Sequence, residues 1–259
     1  MAEIGKMLTT NGDWAGAMGD RLIAVVGLAF EARIAAGPGV RVICSGNGKD
    51  LAASLSRAIA EGATGVMSFG VAGGLSPTLL PGTCIIGSGI LCGSDRINRI
   101  NTDRDWSQKL LQTIPGAVRG LLFGVPEPVT NPRAKAALYT KTGAIAVDME
   151  SHVVGSVAAA HGIPMAAVRV IADPAARSIP ASALAAMRPN GTTDIAAMIW
   201  SMLKRPADLP AVVRTALDAR AARAALVRGR RLLEPGLGIH FARREAAPAS
   251  STLPVALPA

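Results

Sequence analysis

Two acidic side chains, Glu150 and Asp173, stand where carboxylates can work as a pair. An ionised carboxylate accepts strong hydrogen bonds from hydroxyl groups, and one whose pKa is raised by burial or by a second carboxylate acts as an acid near neutral pH. The run Ala144-Ile-Ala-Val147 is apolar but too short for a helix, and Asp148 is a favoured N-cap residue, so this segment reads as strand, turn, helix. The helix is expected from about Met149 to His161, with Val153, Val154, Val157 and Ala158 on one face and Gly162 as its C′ residue. Glu150 then falls in the first turn. Ile163 to Ile171 is nearly uninterrupted apolar sequence, the pattern of a parallel strand covered on both faces, and it ends at Asp173, which Pro174 keeps out of helix. Ligands of open α/β sheets bind outside the carboxyl ends of the strands, so both acids are expected at one crevice. Singly, each has an ordinary use, one at a helix dipole and the other in a turn. Together, with the pattern between them, they point to chemistry.

The elements that must hold these acids fit one α/β domain. Half of the 259 residues are apolar, enough for a full core, and short apolar runs alternate with helical stretches. Residues 1–20 read as a variable leader unlike a signal peptide, 21–203 as the catalytic domain, 204–245 as a basic helical extension and 246–259 as a disordered tail. Uncharged apolar runs of about 18 residues are lacking, so the expectation is a cytoplasmic protein without a membrane-spanning helix. Cys44, Cys84 and Cys92 are odd in number and lack C-x-x-C spacing, which predicts reduced structural thiols. With them His152, His161 and His240 form no ligand cluster, so no metal is expected. A helical or capping role is the expectation for His152 and His161, with an approach of His152 to the acids as the alternative.

The net charge of +9 is concentrated. Between Lys204 and Glu245 there are ten Lys or Arg against four Asp or Glu, much of it on an alanine-rich helix from Leu209 to Leu233. Such a run is either a solvated helix face or an attraction to anionic lipid headgroups at the inner membrane surface. Nucleic acid is not an expected partner, because aromatics are 3% of the chain and no DNA-reading motif is present.

Taken in order, four segments resemble the purine nucleoside phosphorylase and nucleosidase superfamily. They are Arg21-Leu-Ile-Ala-Val-Val-Gly27-Leu-Ala-Phe-Glu31-Ala-Arg33, Val42-Ile-Cys-Ser45-Gly46-Asn-Gly48-Lys49, Ser68-Phe-Gly70-Val-Ala-Gly73-Gly74-Leu75, and Val147-Asp-Met-Glu150-Ser151 with Arg169-Val-Ile-Ala-Asp173. Within it, the chain is most similar to the hopanoid-associated phosphorylases, thought to remove adenine from adenosylhopane. The resemblance implies a three-layer α/β phosphorylase-like fold with a central mixed, mostly parallel twisted sheet flanked by helices, a homo-oligomer, and no cofactor beyond inorganic phosphate as a co-substrate. It implies cleavage of an N-glycosidic bond. Asp173 would protonate N7 of a purine, Glu150 would hold the ribose hydroxyls beside Met149, and Gly73 and Val129 would border the substrate.

The nucleophile is where this chain departs from its relatives. Hydrolytic members activate water with a glutamate after the first strand, and an ungapped match puts Ala32 there, beside Glu31. Phosphate is therefore the expected nucleophile, with Gly27, Arg33, Ser45 and Gly46 as its nest and Lys49 close by. Against this, Ser68 and Val71 stand where phosphorolytic relatives often carry arginine and serine. No aromatic precedes the Val-Asp-Met-Glu strand as a base platform, since Phe123 ends an apolar strand from Val118 and is expected in the core. Pro128 and Val129 are the residues left to pack on the base. Two alternatives stay open: a water-using nucleosidase of small thioadenosines, and a non-catalytic binder at a membrane surface.

Overall fold

Leu22–Val26 is apolar at all five positions and buried at all five, which a strand needs when both faces are covered. This strand, β1, starts a computed structural model that describes residues 22–44, 48–179, 209–233 and 236–238. The expected leader and tail, and parts of the stretch 204–245, lie outside those residues. The elements that follow are α1 (Ala29–Ala35), β2 (Val40–Cys44), α2 (Gly48–Ala60), β3 (Gly65–Gly74), β4 (Cys84–Cys92) and β5 (Asn98–Ile100). Then come α3 (Arg104–Thr113), β6 (Val118–Gly124), α4 (Pro132–Thr142), β7 (Ala146–Asp148), α5 (Ser151–Ala160), β8 (Met165–Asp173) and α6 (Leu209–Leu232).

The strands make one mixed, mostly parallel sheet with helices on both faces, as expected. Its order is β2-β1-β3-β7-β6-β4-β5, and β8 pairs with both β3 and β4. Side chains alternate between the faces, so Leu22, Ala24 and Val26 enter one core with α3 and α6 while Ile23 and Val25 enter another with α2 and α5. The expected open sheet is not what forms. Because β8 bridges β3 and β4, the strands β3, β8, β4, β6 and β7 close a ring. Register shifts at Ala72/Gly73 and Gly87/Gly89 lie in β3 and β4, and such bulges bend strands and increase their twist.

Helix ends decide where the chemical groups land. In α4, Asn131 caps through its side chain, accepting from Arg133 N at 2.8 Å, and Pro132 opens the helix with its φ already set. Lys135 is thereby fixed in the first turn. Helix α6 is not a free extension: Ala222, Ala225 and Leu226 join the core beneath β8, and Arg230 donates to Ala35 O at 3.1 Å. Five other arginines of α6, namely Arg214, Arg220, Arg223, Arg228 and Arg231, are exposed. Among the described residues no helix is long and apolar enough to cross a membrane. All three cysteines are free. Burial pushes the Cys84 thiol up to about 12, while Cys44 is exposed at the end of β2.

Candidate active site

Arg169 is the centre of the site, and nothing in its strand marks it except its charge. It sits in β8 between apolar neighbours with 1% of its side chain exposed. A buried guanidinium requires partners, and it has them. Nη2 donates to Ser68 Oγ at 2.6 Å, Glu150 Oε2 at 3.1 Å, and Asp148 Oδ1 and Ser151 Oγ at 3.3 Å, while Nη1 donates to Val71 O at 3.3 Å. Ser151 Oγ donates in turn to Ser68 Oγ at 2.9 Å. Ser68 and Val71, which replace the residues common in phosphorolytic relatives, are therefore part of this cationic knot. The counter-charges on Asp148 and Glu150 hold Arg169 protonated against its own burial.

Asp148 builds the turn that presents Glu150. Its Oδ1 accepts from Glu150 N at 3.0 Å and Ser151 N at 2.7 Å, so the chain turns for two residues before helix α5 begins at Ser151. Glu150 is accordingly the N-cap residue rather than a member of the first turn, which corrects the expected start at Met149. Its own side chain makes no cap bond. It reaches Arg169 and keeps 16% of its surface open. Burial, more than the neighbouring Asp148, raises its pKa, with Arg169 opposing. Met149 beside it is half-buried.

Glu31 enters the site, against the expectation that Ala32 occupies the water-activating position. In space it is Glu31 that turns inward from α1, with 1% of the residue exposed. Oε2 accepts from Gly27 N at 3.0 Å and Leu28 N at 2.8 Å, and Oε1 accepts from Val71 N at 2.7 Å. Burial, with a smaller push from Glu150, raises its pKa from 4.5 to about 7 despite Arg169 and the amides of Val71 and Leu28. Two glycines make room for this packing. A Cβ on Gly70 would lie 2.5 Å from Glu31 Oε1 and 2.9 Å from Arg169 Nη1, and a Cβ on Gly27 would lie 2.4 Å from Glu150 Oε1. Glu31 and Glu150 thus both lie against Gly27.

Asp173 lies apart from that cluster, at the end of β8. Its Oδ2 pairs with Lys135 Nζ, whose side chain is wholly buried. Burial raises the Asp173 pKa and Lys135 opposes the rise. Gly73 is its neighbour: a Cβ there would stand 3.2 Å from Asp173 Oδ2 and 3.2 Å from Val147 Cγ1. Val129 is half-buried against the small core that also holds Phe123 and Val147. Phe123 is 6% exposed, in the core as expected, and Pro128 is exposed.

Two residues of the expected phosphate nest, Gly27 and Arg33, are among the described residues. The Gly27 amide is already used by Glu31. Arg33 is exposed in the last turn of α1, two residues from Glu31 and so on another side of the helix. Ser45 and Gly46 lie outside the described residues, as does the Lys49 side chain. His152 is half-buried behind the site, packed against Gly124, with its pKa lowered by burial and Asp148 opposing. Sequence reasoning gave no role to Arg169 or Lys135 and passed over Glu31. The available signal was a cation or acid lodged in sequence whose neighbours are buried.

A deep arginine on β8 is shared by carboxylates, and a separate buried acid stands at the end of the same strand. Fold and site together define an enzyme of the nucleoside phosphorylase and nucleosidase kind. Residues 25–204 match the model of the phosphorylase superfamily, and the chain belongs to that superfamily. No curated protein matches the chain. Among solved structures it is similar to the 5′-methylthioadenosine/S-adenosylhomocysteine nucleosidase from Neisseria meningitidis in complex with methylthio-immucillin-A. Identity there is 17% over 81% of this chain and 97% of that one, with a TM-score of 0.57. The native futalosine hydrolase of Helicobacter pylori is 14% identical over 82% of this chain and 97% of that one, TM-score 0.56. The Campylobacter jejuni 5′-methylthioadenosine/S-adenosylhomocysteine nucleosidase is 14% identical over 82% and 98%, TM-score 0.57. At these identities the likeness is one of fold.

Proposed function

We propose that this chain cleaves the N-glycosidic bond of an adenine nucleoside, with Asp173 protonating N7 of the base and Glu150 holding the ribose hydroxyls beside Met149. The observation that carries this reading is the separation of two acidic stations along strand β8: Glu150 on Arg169, and Asp173, paired with Lys135, at the strand end. Breaking C1′–N9 leaves positive charge on the sugar and sends electrons into the base. A carboxylate cluster favours the first change, and a proton donor completes the second. Gly73 and Val129 border the base side.

Water is the nucleophile favoured by the geometry, with Glu31 as its base. A carboxylate with a pKa of about 7, fixed by three amides and flanking Gly27 with Glu150, is matched to take a proton at neutral pH. Phosphate in the Gly27, Arg33, Ser45 and Gly46 nest is the second reading, supported by the sequence resemblance. For the 5′ substituent we carry adenosylhopane as the proposed substrate, on the likeness to hopanoid-associated phosphorylases. Homo-oligomerisation is proposed on the same likeness. The exposed arginines of α6, with Val213 at 49% and Leu217 at 59% exposed beside them, support contact with an anionic membrane surface.

The test is adenine release by the purified chain from adenosine, methylthioadenosine and adenosylhopane in detergent, each with and without phosphate. Phosphate-independent release carries the water reading, and release only with phosphate replaces it by the nest. Absence of release from every substrate overturns the proposed function.

A further inference from the structure

Lys135 is buried as lysines rarely are. No part of its side chain reaches solvent, and lysine is almost never fully buried unless paired. An ammonium has three N–H donors. Here one goes to Asp173 Oδ2, one to Pro174 O at 3.1 Å and one to Arg177 O at 3.2 Å. The carbonyl partners lie on the segment leaving β8, which is fastened again where Ile179 N donates to Thr130 O at 3.1 Å. Two carbonyl bonds account for a strap that holds the loop. They do not account for the third bond, which goes to the Asp173 carboxylate. Among the described residues the Asp173 side chain is held at Oδ2 alone.

We propose that Lys135 is the positioning residue of Asp173: it fixes Oδ2 and balances the negative charge that Asp173 acquires when its proton passes to the leaving base. This deepens the proposed function and rests on Asp173 being the acid. In that step C1′–N9 breaks with its electron pair going to the purine, and N7 takes the proton from the Asp173 carboxyl group. The new carboxylate then faces the Lys135 ammonium. The nucleophile supplies the new C1′–O bond, and Asp173 is reprotonated from solvent. Burial favours the protonated acid before the step and Lys135 favours the carboxylate after it.

The experiment is the pH dependence of kcat/KM for a nucleoside that the wild-type chain cleaves, measured on the full chain and on Lys135→Met, Lys135→Arg and Asp173→Asn. Removing the cation leaves burial unopposed, so the basic limb, where Asp173 loses its proton, is expected to move to higher pH in Lys135→Met. Its plateau is expected to fall about 10- to 100-fold, as loss of tuning in acid catalysis does. Lys135→Arg keeps the charge and is expected to retain the wild-type limb while recovering part of the rate. Should Lys135→Met not accumulate folded, Lys135→Gln, which keeps a donor without the charge, is read in the same way. A limb that stays in place when the charge is removed overturns the proposal and leaves Lys135 a scaffold residue. If Asp173→Asn keeps full activity, it is the acid assignment that falls, a separate outcome.

Discussion

The two ends of the site carry their charge in opposite ways. At the proposed sugar end one guanidinium, Arg169, serves Asp148 and Glu150 with Glu31 nearby, so carboxylates outnumber the cation. At the proposed base end one ammonium, Lys135, serves one carboxylate, Asp173. The difference teaches where charge is meant to appear. In the proposed reaction an excess of carboxylate around the ribose would stabilise the positive charge that develops on C1′, and a balanced pair beside the base would let a proton leave without stranding a buried anion. The two cations also find different partners, and at the first end Arg169 Nε and Asp148 Oδ2 stay buried without one among the described residues. Arg169 recruits hydroxyls of Ser68 and Ser151, whereas Lys135 recruits main-chain carbonyls of the loop after β8.

Removing the shared cation breaks the comparison most strongly. Arg169→Met leaves Asp148 and Glu150 buried without their partner, and about 3–5 kcal/mol of stability is expected to go, measured by denaturant unfolding. A loss under about 1 kcal/mol would mean that the carboxylates do not depend on it, since that is the scale of an exposed pair. Next in size is the pH dependence of stability owed to Glu31. Its folded pKa lies above its ordinary value, at about 7 against 4.5, so the folded state holds a proton that the unfolded chain has released. The stabilisation is complete below about 4.5 and is lost as pH rises to about 7, a fall of about 3 kcal/mol that Glu31→Gln is expected to abolish in unfolding titrations.

Smaller effects sharpen the contrast. Gly27→Ala puts a methyl group 2.4 Å from Glu150 Oε1 and must displace the carboxylate proposed to hold the ribose. Its kcat/KM is expected to fall about 10-fold, in line with misplacement costs at a preorganised site. Asp173 chemistry is untouched by this change, so the basic limb of the pH profile is expected to stay. The smallest effect is expected for Arg33→Ala, which removes an exposed side chain in the last turn of α1. Adenine release is expected to stay within about twofold of wild type, as for surface substitutions away from special features. A large, phosphate-reversible loss would restore the phosphate nest.

Much of this was legible in the sequence because apolar runs and caps dictate strands and turns. The run Ile163 to Ile171 became a buried strand ending at Asp173, and Asp148 made the turn before its helix. The closed ring was not legible. It depends on β8 pairing with β3 on one side and β4 on the other, a non-local choice that no window of sequence records. Charge inside apolar sequence was the missed signal. Arg169 interrupts a run of Val, Ile and Ala, and a charge there must find partners. Lys135 gave less warning, since Ala-Lys-Ala-Ala on a helix reads equally well as a solvated face. Glu31 was passed over because an ungapped match favoured its neighbour Ala32, whereas the direction of α1 decides which side chain turns inward.

The most direct test of the division between the two ends is adenine release in phosphate-free buffer by wild type and by Asp173→Asn, with substrate saturating. Wild type is expected to release adenine, and the asparagine variant, which has the shape of the acid without its proton, to be slower by about 10² or more. Equal rates for the two proteins would contradict the assignment of the proton donor, and with it the proposed separation of sugar and base chemistry along β8.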